Sequence, residues 1–339
     1  MLDLAILQSA LLKWYSAHKR DLPWRKTCDP YKVWVSEVML QQTQVQTVIP
    51  YWHTFLNRFP TIKTLANAPE DELMQAWQGL GYYRRARYMQ NAAQEIVKSH
   101  KGQLPKTQEE LIKLPGFGPY TSGAVASIAF KQNVPCIDGN VTRVLSRILA
   151  THELTKINAM AFDLAQNCDV ASLNQSLMEL GALVCTSKNP ACLSCPVQDT
   201  CLAYKNDSIK AYPAPKKRIK IQNIYAAILV LYDPKKQAYL LQKRPSTGRW
   251  AGLWEFPYFE WLEKKTPATH ISSFKEIFPE AGHIVFQSQI SHKLTHQAIS
   301  VDIYKASGTS STLKDNQQWS TDISKQPTSV LTQKINQKL

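Results

Sequence analysis

Four cysteines stand close together in this chain, Cys185, Cys192, Cys195 and Cys201, with the spacing C-x6-C-x2-C-x5-C. Four thiolates in one short segment can occupy every corner of a tetrahedral sulfur site, which suits zinc or an iron–sulfur cluster. Structural zinc modules draw on two separated short pairs, and only one C-x2-C pair is present here. A cluster needs more room than a single ion, so long spacers around one short pair favour iron and sulfide. A coincidental set of buried thiols is the plain alternative. Cys28, Cys136 and Cys168 have no ligand-like spacing and are expected to be small buried hydrophobes.

A second group of residues is suited to a polyanion. Leu114-Pro-Gly-Phe-Gly-Pro-Tyr120 lies between two helical stretches, and Gly116 and Gly118 permit a tight turn before Thr121 begins the next helix. Backbone amides at such a helix start form a phosphate site, although an ordinary glycine-containing loop has the same composition. In Ile137-Asp138-Gly139, an acid opens a helix after an apolar run. It can serve as an N-cap and nothing more, or face positive charge developing on a sugar. The chain carries 40 basic against 26 acidic residues, a net charge of +14, which favours a polyanionic partner, nucleic acid foremost. Anionic lipid is the competitor, but no basic amphipathic helix with a strong apolar face stands out.

The elements that position these residues fall into two regions. At 339 residues, two domains with separate cores are expected. Residues 1–210 read as helical, with apolar positions recurring every three or four residues and Pro or Gly between them. Thr107 precedes Glu110 as in a capping box. Residues 211–222, rich in proline and basic side chains, read as a linker. Residues 223–339 read as a smaller α+β domain. Its expected strands are Ile224–Tyr232, Tyr239–Lys243, Trp254–Phe259, Ile284–Ile290 and Ile299–Tyr304, with a helix between Trp261 and Phe278. The stretch from Ser307 to Gln318 reads as a polar, mobile tail, followed by a short helix within Val330–Leu339. The opening residues lack the basic start and cleavage site of a signal peptide and are too short to span a membrane. A thiolate cluster is at risk in an oxidising compartment, so a cytoplasmic protein is expected.

The hairpin, the acid and the cysteine run, in that order, resemble the helix-hairpin-helix DNA glycosylase superfamily. Leu22-Pro-Trp-Arg25, Val35-Ser-Glu-Val-Met-Leu-Gln-Gln-Thr-Gln-Val45 and Gly79-Leu-Gly-Tyr-Tyr83 narrow the resemblance to the adenine DNA glycosylases of the MutY family, across essentially the whole chain. The resemblance implies a [4Fe-4S] cluster on the four cysteines of segment 185–201, with Glu37 as general acid and Asp138 as cation-stabilising carboxylate. Gln42 and Tyr82 match residues that wedge into the duplex, and Arg25 and Gln175 match positions lining the adenine pocket. Leu240-Leu-Gln-Lys-Arg-Pro245 and Gly252-Leu-Trp-Glu-Phe-Pro257 resemble the start of a Nudix-type fold. Ile271–Glu280 carries two acids where Mg²⁺ would need several, so phosphohydrolysis is not expected. Leu294-Thr295-His296 matches the family's Phe-Ser-His lesion-reading loop with two substitutions, and His292 is the candidate if the register differs.

The chemistry asks for two different acids. Adenine leaves poorly as an anion, so a carboxylic acid still protonated near neutral pH must deliver a proton, and burial supplies that upward shift. The apolar run around Glu37 suits the donor, and the capped setting of Asp138 suits the ion. Tyr120 occupies the position where related endonuclease III enzymes hold a Schiff-base lysine, so a monofunctional enzyme using water is expected. The implied partner is double-stranded DNA with A:8-oxoguanine or A:G mispairs, bound by a monomer with no membrane association. An endonuclease III-like glycosylase/lyase and a non-catalytic lesion sensor are the alternatives. Tyr120 and the second domain weigh against the first, and the presence of both acids against the second.

Overall fold

The computed structural model describes residues 3–214, 221–310 and 313–339. The helices are α1 (Leu4–His18), α2 (Pro30–Leu40), α3 (Val45–Arg58), α4 (Ile62–Ala66), α5 (Glu70–Ala76), α6 (Arg84–Ser99), α7 (Gln108–Leu111), α8 (Pro119–Phe130), α9 (Gly139–Leu149), α10 (Leu154–Leu164), α11 (Val170–Leu183) and α12 (Leu202–Lys205). The strands that follow are β1 (Gln222–Asp233), β2 (Ala238–Lys243), β3 (Trp254–Glu255) and β4 (Tyr258–Trp261). Then come α13 (Pro267–Ile277), β5 (Val285–Lys293), β6 (Gln297–Ser307), β7 (Gln317–Ser320) and α14 (Val330–Asn336). No helix among the described residues is long and apolar enough to cross a membrane.

The chain divides into two compact units, Met1–Ala68 with Arg84–Lys216 and Pro69–Tyr83 with Lys217–Leu339. This differs from one cut at 211–222, because the segment bearing α5 and Gly79–Tyr83 groups with the second unit. Residues 215–220 of the expected linker lie outside the described residues.

In the first unit, α1, α9, α10 and α11 share a core of Leu7, Leu11, Val144, Leu145, Leu164, Leu177 and Leu180. Val197, from the cysteine-bearing segment, packs into the same core and ties that segment to the helices. α2 is buried nearly all round: every side chain from Val33 to Met39 is inside, Ser36 and Glu37 included. A helix apolar on every face belongs in an interior, so this one carries its single acid there by sequence. Asp29 caps its start through the Tyr31 and Lys32 amides. Thr107 caps α7 by accepting from the Glu110 amide, as its spacing predicts.

The second unit is a mixed sheet of order β3-β2-β1-β6-β5, with β4 also paired to β1 and β7 to β2. β1 and β6 are parallel, and the remaining named pairs are antiparallel. Along β1, Ile224, Ala226, Ile228 and Val230 face one core with Leu331 and Ile335 of α14. Ala227, Leu229 and Leu231 face the other with Phe274 of α13. Cover on both faces explains the near-continuous apolar run of this strand. Two expectations are corrected. The strand expected over Trp254–Phe259 is interrupted, because Phe256-Pro257 separates β3 from β4 and proline cannot donate to a ladder. The polar stretch Ser307–Gln318 is not a tail throughout, since β6 runs to Ser307 and β7 begins at Gln317 against β2.

Candidate active site

Glu37 is 5% exposed, and Tyr120 Oη donates to its Oε2 at 2.5 Å. Burial pushes its carboxyl up to about 7, against an ordinary 4.5. The Tyr120 hydrogen bond opposes that rise, the charge of Asp138 adds to it, and Arg25 opposes it. Tyr120 comes from the first turn of α8, and burial beside Glu37 lifts its phenol well above its ordinary value. Tyr120 therefore donates to Glu37 and does not ionise. Cys136, fully buried, places its thiol against the Tyr120 carbonyl.

Asp138 caps α9, accepting from the Val141 amide at 2.7 Å and from Asn140 Nδ2 at 2.7 Å. The two donors fix the Asp138 carboxyl at the start of α9. The bonds continue: Arg143 Nη2 donates to Asn140 Oδ1 at 2.8 Å, and Arg143 Nε to the Cys185 carbonyl at 2.8 Å. The acid and the first cysteine thus share one hydrogen-bonded path. Gly181 of α11 makes the close approach possible, because a Cβ there would sit 2.6 Å from Asn140 Cβ.

Arg25 and Gln175 join the same surroundings through Tyr15. The Tyr15 hydroxyl donates to Gln175 Oε1 at 3.1 Å, and the Arg25 guanidinium lies 5.4 Å from the Tyr15 ring centre. Arg25 makes a two-pronged pair with Glu179, each bond 2.9 Å, and Arg20 binds the same carboxylate. Glu179 is 1% exposed; burial alone would raise its carboxyl, but the two guanidinium groups hold it at about 2. Sequence reasoning missed Glu179. A lone acid within Leu177-Met-Glu-Leu180 of an apolar helix is the signal it left.

Gln42 follows α2, exposed, in the left-handed region at φ +60. Arg85 holds this turn. Its Nη1 donates to the Val38 carbonyl at 2.8 Å, to Met39 at 2.9 Å and to Gln41, and its Nη2 reaches Thr43 Oγ1 at 3.2 Å. Helix C-terminal carbonyls need such partners, and Arg85 supplies them from α6. At the hairpin, Gly116 has φ +76, and a Cβ would fall 2.6 Å from Tyr88 Cβ. Gly118 is the N-cap of α8 and, lacking a side chain, makes no side-chain cap bond there.

Cys185, Cys192, Cys195 and Cys201 all line one small pocket, with Arg147 and Tyr204 also on its wall. Among the described residues no three His, Cys, Asp or Glu side chains are set close enough to hold a metal ion. Four thiolates are a soft donor set that suits an iron–sulfur cluster or zinc alike. Buried Arg147 donates to Cys185 Sγ at 3.2 Å and to the Thr186 carbonyl at 2.7 Å. Arg143 and Arg147, one helical turn apart on α9, also escaped sequence reasoning. Cys136 is buried as expected, Cys168 half-buried, and Cys28 is exposed, which corrects its expected burial.

In the second unit, the Leu294 amide donates to the Gln297 carbonyl at 2.8 Å, so Thr295 and His296 form the exposed tip of the β5–β6 hairpin. Tyr82, with φ +47 and 51% exposed, places its hydroxyl 3.0 Å from Thr295 Oγ1. His292 points inward, with its ring edge-on to Trp250 at 5.6 Å, so the alternative register does not present it at the surface.

Residues 35–175 match the family described as HhH-GPD superfamily base excision DNA repair protein, and residues 227–338 match the NUDIX domain family. An adenine DNA glycosylase of Buchnera aphidicola is 35% identical over 295 residues, covering 82% of this chain and 83% of that protein. The Homo sapiens adenine DNA glycosylase is 34% identical, covering 89% of this chain and 67% of that protein. The Arabidopsis thaliana one is 37% identical over 81% of this chain, which spans about half (51%) of that relative's length. Among solved structures, a thermostable thymine-DNA glycosylase superposes with a TM-score of 0.57 at 24% identity, over 60% of this chain and 97% of that one. An endonuclease III trapped on DNA gives 0.53 at 22%, over 61% and 99%. Both show the fold of the helical unit.

Proposed function

The chain belongs to the adenine DNA glycosylase family, and on that premise we propose that it hydrolyses the N-glycosidic bond of adenine mispaired with 8-oxoguanine or guanine in double-stranded DNA. The observation that carries this is the environment of Glu37: a carboxyl held near pH 7 by burial, bonded to Tyr120 and sensing the charge of Asp138. Protonated Glu37 donates to a ring nitrogen of adenine as the bond to the sugar stretches, and the bonding pair leaves with the base. Asp138 opposes the positive charge left on the sugar, and water then adds to it, releasing a proton. Arg25 and Gln175, braced by Glu179 and Tyr15, shape the adenine pocket. Gln42 and Tyr82 fill the space vacated when the base is drawn from the stack. Thr295 and His296 read the opposing oxidised base.

Tyr120 has no amine for an imine, which supports hydrolysis without strand cleavage. The Gly116–Gly118 turn and the start of α8, which has no side-chain cap bond, suit a DNA phosphate, in keeping with the net charge of +14. Cys185, Cys192, Cys195 and Cys201 would hold a [4Fe-4S] cluster, whose contribution is to order the 185–201 segment, since hydrolysis moves no net electrons. The protein acts as a monomer in the cytoplasm, at the nucleoid in a bacterium, with the helical region within 1–210 as the catalytic domain, apart from the segment 69–83 that groups with the second unit, and 223–339 as the reader.

A single-turnover assay on A:8-oxoguanine, A:G and T:8-oxoguanine duplexes tests the reading. Adenine release from the first two, none of thymine, and intact strands until alkali is added are expected. Removal of thymine or strand nicking at neutral pH would overturn it.

A further inference from the structure

Residues 69–83 belong to the second unit, although helices of the first precede and follow them in sequence. Specific bonds hold them there. Asp71 Oδ1 accepts from Lys243 Nζ at 2.6 Å, and Gln75 Nε2 donates to the Lys325 carbonyl at 3.2 Å. Two further bonds converge on one residue. Gln78 Nε2 donates to Thr328 Oγ1 at 3.1 Å, and Tyr83 Oη donates to the Thr328 carbonyl at 3.3 Å. Thr328 is 1% exposed, and a backbone bridge to Trp254 of β3 ties its main chain to the sheet.

Between Gln78 and Tyr83 run Gly79, Leu80, Gly81 and Tyr82, with φ of +100, +70 and +47 at Gly79, Gly81 and Tyr82. Glycine enters that region freely and tyrosine does not. A left-handed tyrosine in an exposed loop persists when its surroundings over-determine it. Here the loop is closed at both ends on a single buried threonine.

We propose that Thr328 is a positioning residue for base-pair invasion, fixing the turn that presents Tyr82 to DNA, an inference that rests on the wedge role given to Tyr82 above. The C-terminal unit then shapes the wedge as well as carrying the reading loop.

The test uses the full chain on a duplex with 2-aminopurine beside 8-oxoguanine, opposite a non-cleavable adenine analogue, where the fluorescence change on binding reports unstacking. Tyr82→Ala sets the reference without a wedge. Thr328→Val keeps shape and carbonyl but removes the accepting hydroxyl, Gln78→Met removes its donor, and Thr328→Ser restores the hydroxyl. The first two should each cut the fluorescence change towards that of Tyr82→Ala and slow single-turnover excision of adenine by roughly 10- to 100-fold. The pair together should lose no more than either alone, and Thr328→Ser should match the wild type. Should Thr328→Val fold poorly, judged by iron content and melting, Gln78→Met carries the comparison. A wild-type fluorescence change in the loop variants while Tyr82→Ala loses it overturns the role of Thr328 alone, as do additive losses. An unchanged signal in Tyr82→Ala overturns the wedge role, and this proposal with it.

Discussion

Tyr120 donates its phenolic proton to Glu37 across 2.5 Å, and this bond opposes the burial that lifts the Glu37 carboxyl to about 7. The acid is thereby held where both its protonated and its ionised form are accessible near neutrality. A donor on a carboxylate favours the charged form, so Tyr120 sets an upper bound on how strongly Glu37 holds its proton.

The first prediction is a pH profile. With Glu37 as the proposed proton donor, single-turnover rates should fall as pH rises through about 7. Tyr120→Phe removes the bond that favours the carboxylate, which should move that alkaline limb to higher pH. A limb that stays put or moves down in Tyr120→Phe would contradict the coupling.

Glu37 should also weaken the fold above neutrality. Its folded value lies above the ordinary 4.5, so its favourable contribution is complete below about pH 4.5 and is lost as pH climbs through about 7. Glu37→Gln escapes that loss. By pH 8 the variant should be more stable than the wild type by up to about 3 kcal/mol, relative to their difference at pH 4.5, while excising adenine orders of magnitude more slowly. Denaturant titrations at the two pH values measure the gap, and a constant difference would refute the assignment.

Glu179 behaves in the opposite sense. Its folded value of about 2 lies below the ordinary 4.5, so its stabilisation is present above about pH 4.5 and drains away as pH falls towards 2. Glu179→Gln leaves Arg20 and Arg25 without their shared counter-charge and should cost about 3 kcal/mol at pH 7. Replacement without loss of stability would show that the triad adds nothing to the fold.

Tyr120→Lys should gain a borohydride-trappable DNA adduct, because an amine then stands beside Glu37 where the phenol was. Trapping in the wild type at comparable yield would mean that another amine reaches the sugar.

The four cysteines make a claim that needs no DNA. Natively purified protein should contain iron and sulfide in the proportion of a [4Fe-4S] cluster. Cys192→Ser should lower iron content and loosen the 185–201 segment to proteolysis. Zinc in place of iron would overturn the cluster.

The positions of Glu37, Asp138, Tyr120 and the cysteines could be picked out in the sequence because each lies in a local motif, an apolar run, a helix start, a hairpin or a spacing, and the roles proposed for them came with the family resemblance. Glu179, Arg85 and Arg143 could not be, because their work is done on partners far along the chain. Arg85 closes carbonyls more than forty positions back, and Glu179 answers Arg25 from 154 residues away. The alternation of β1 announced a strand but not its neighbours, and only the pairing of β7 with β2 shows that the polar stretch before it ends in the sheet. Segment 69–83 reads by composition as part of the helical region, and its allegiance rests on bonds to Lys243, Lys325 and Thr328 that no local pattern encodes.

That allegiance changes what a severed chain would do. A break introduced within 215–220 leaves α5 and Tyr82 on the N-terminal fragment, while Lys243, Thr295 and Thr328 remain on the other. Neither fragment is then self-sufficient: one carries a helix without its seat, the other a seat without its helix. The halves should therefore co-purify after cleavage and complement one another when produced separately. A reader supplied in trans would be recruited through a piece of its own architecture that is encoded in the catalytic half.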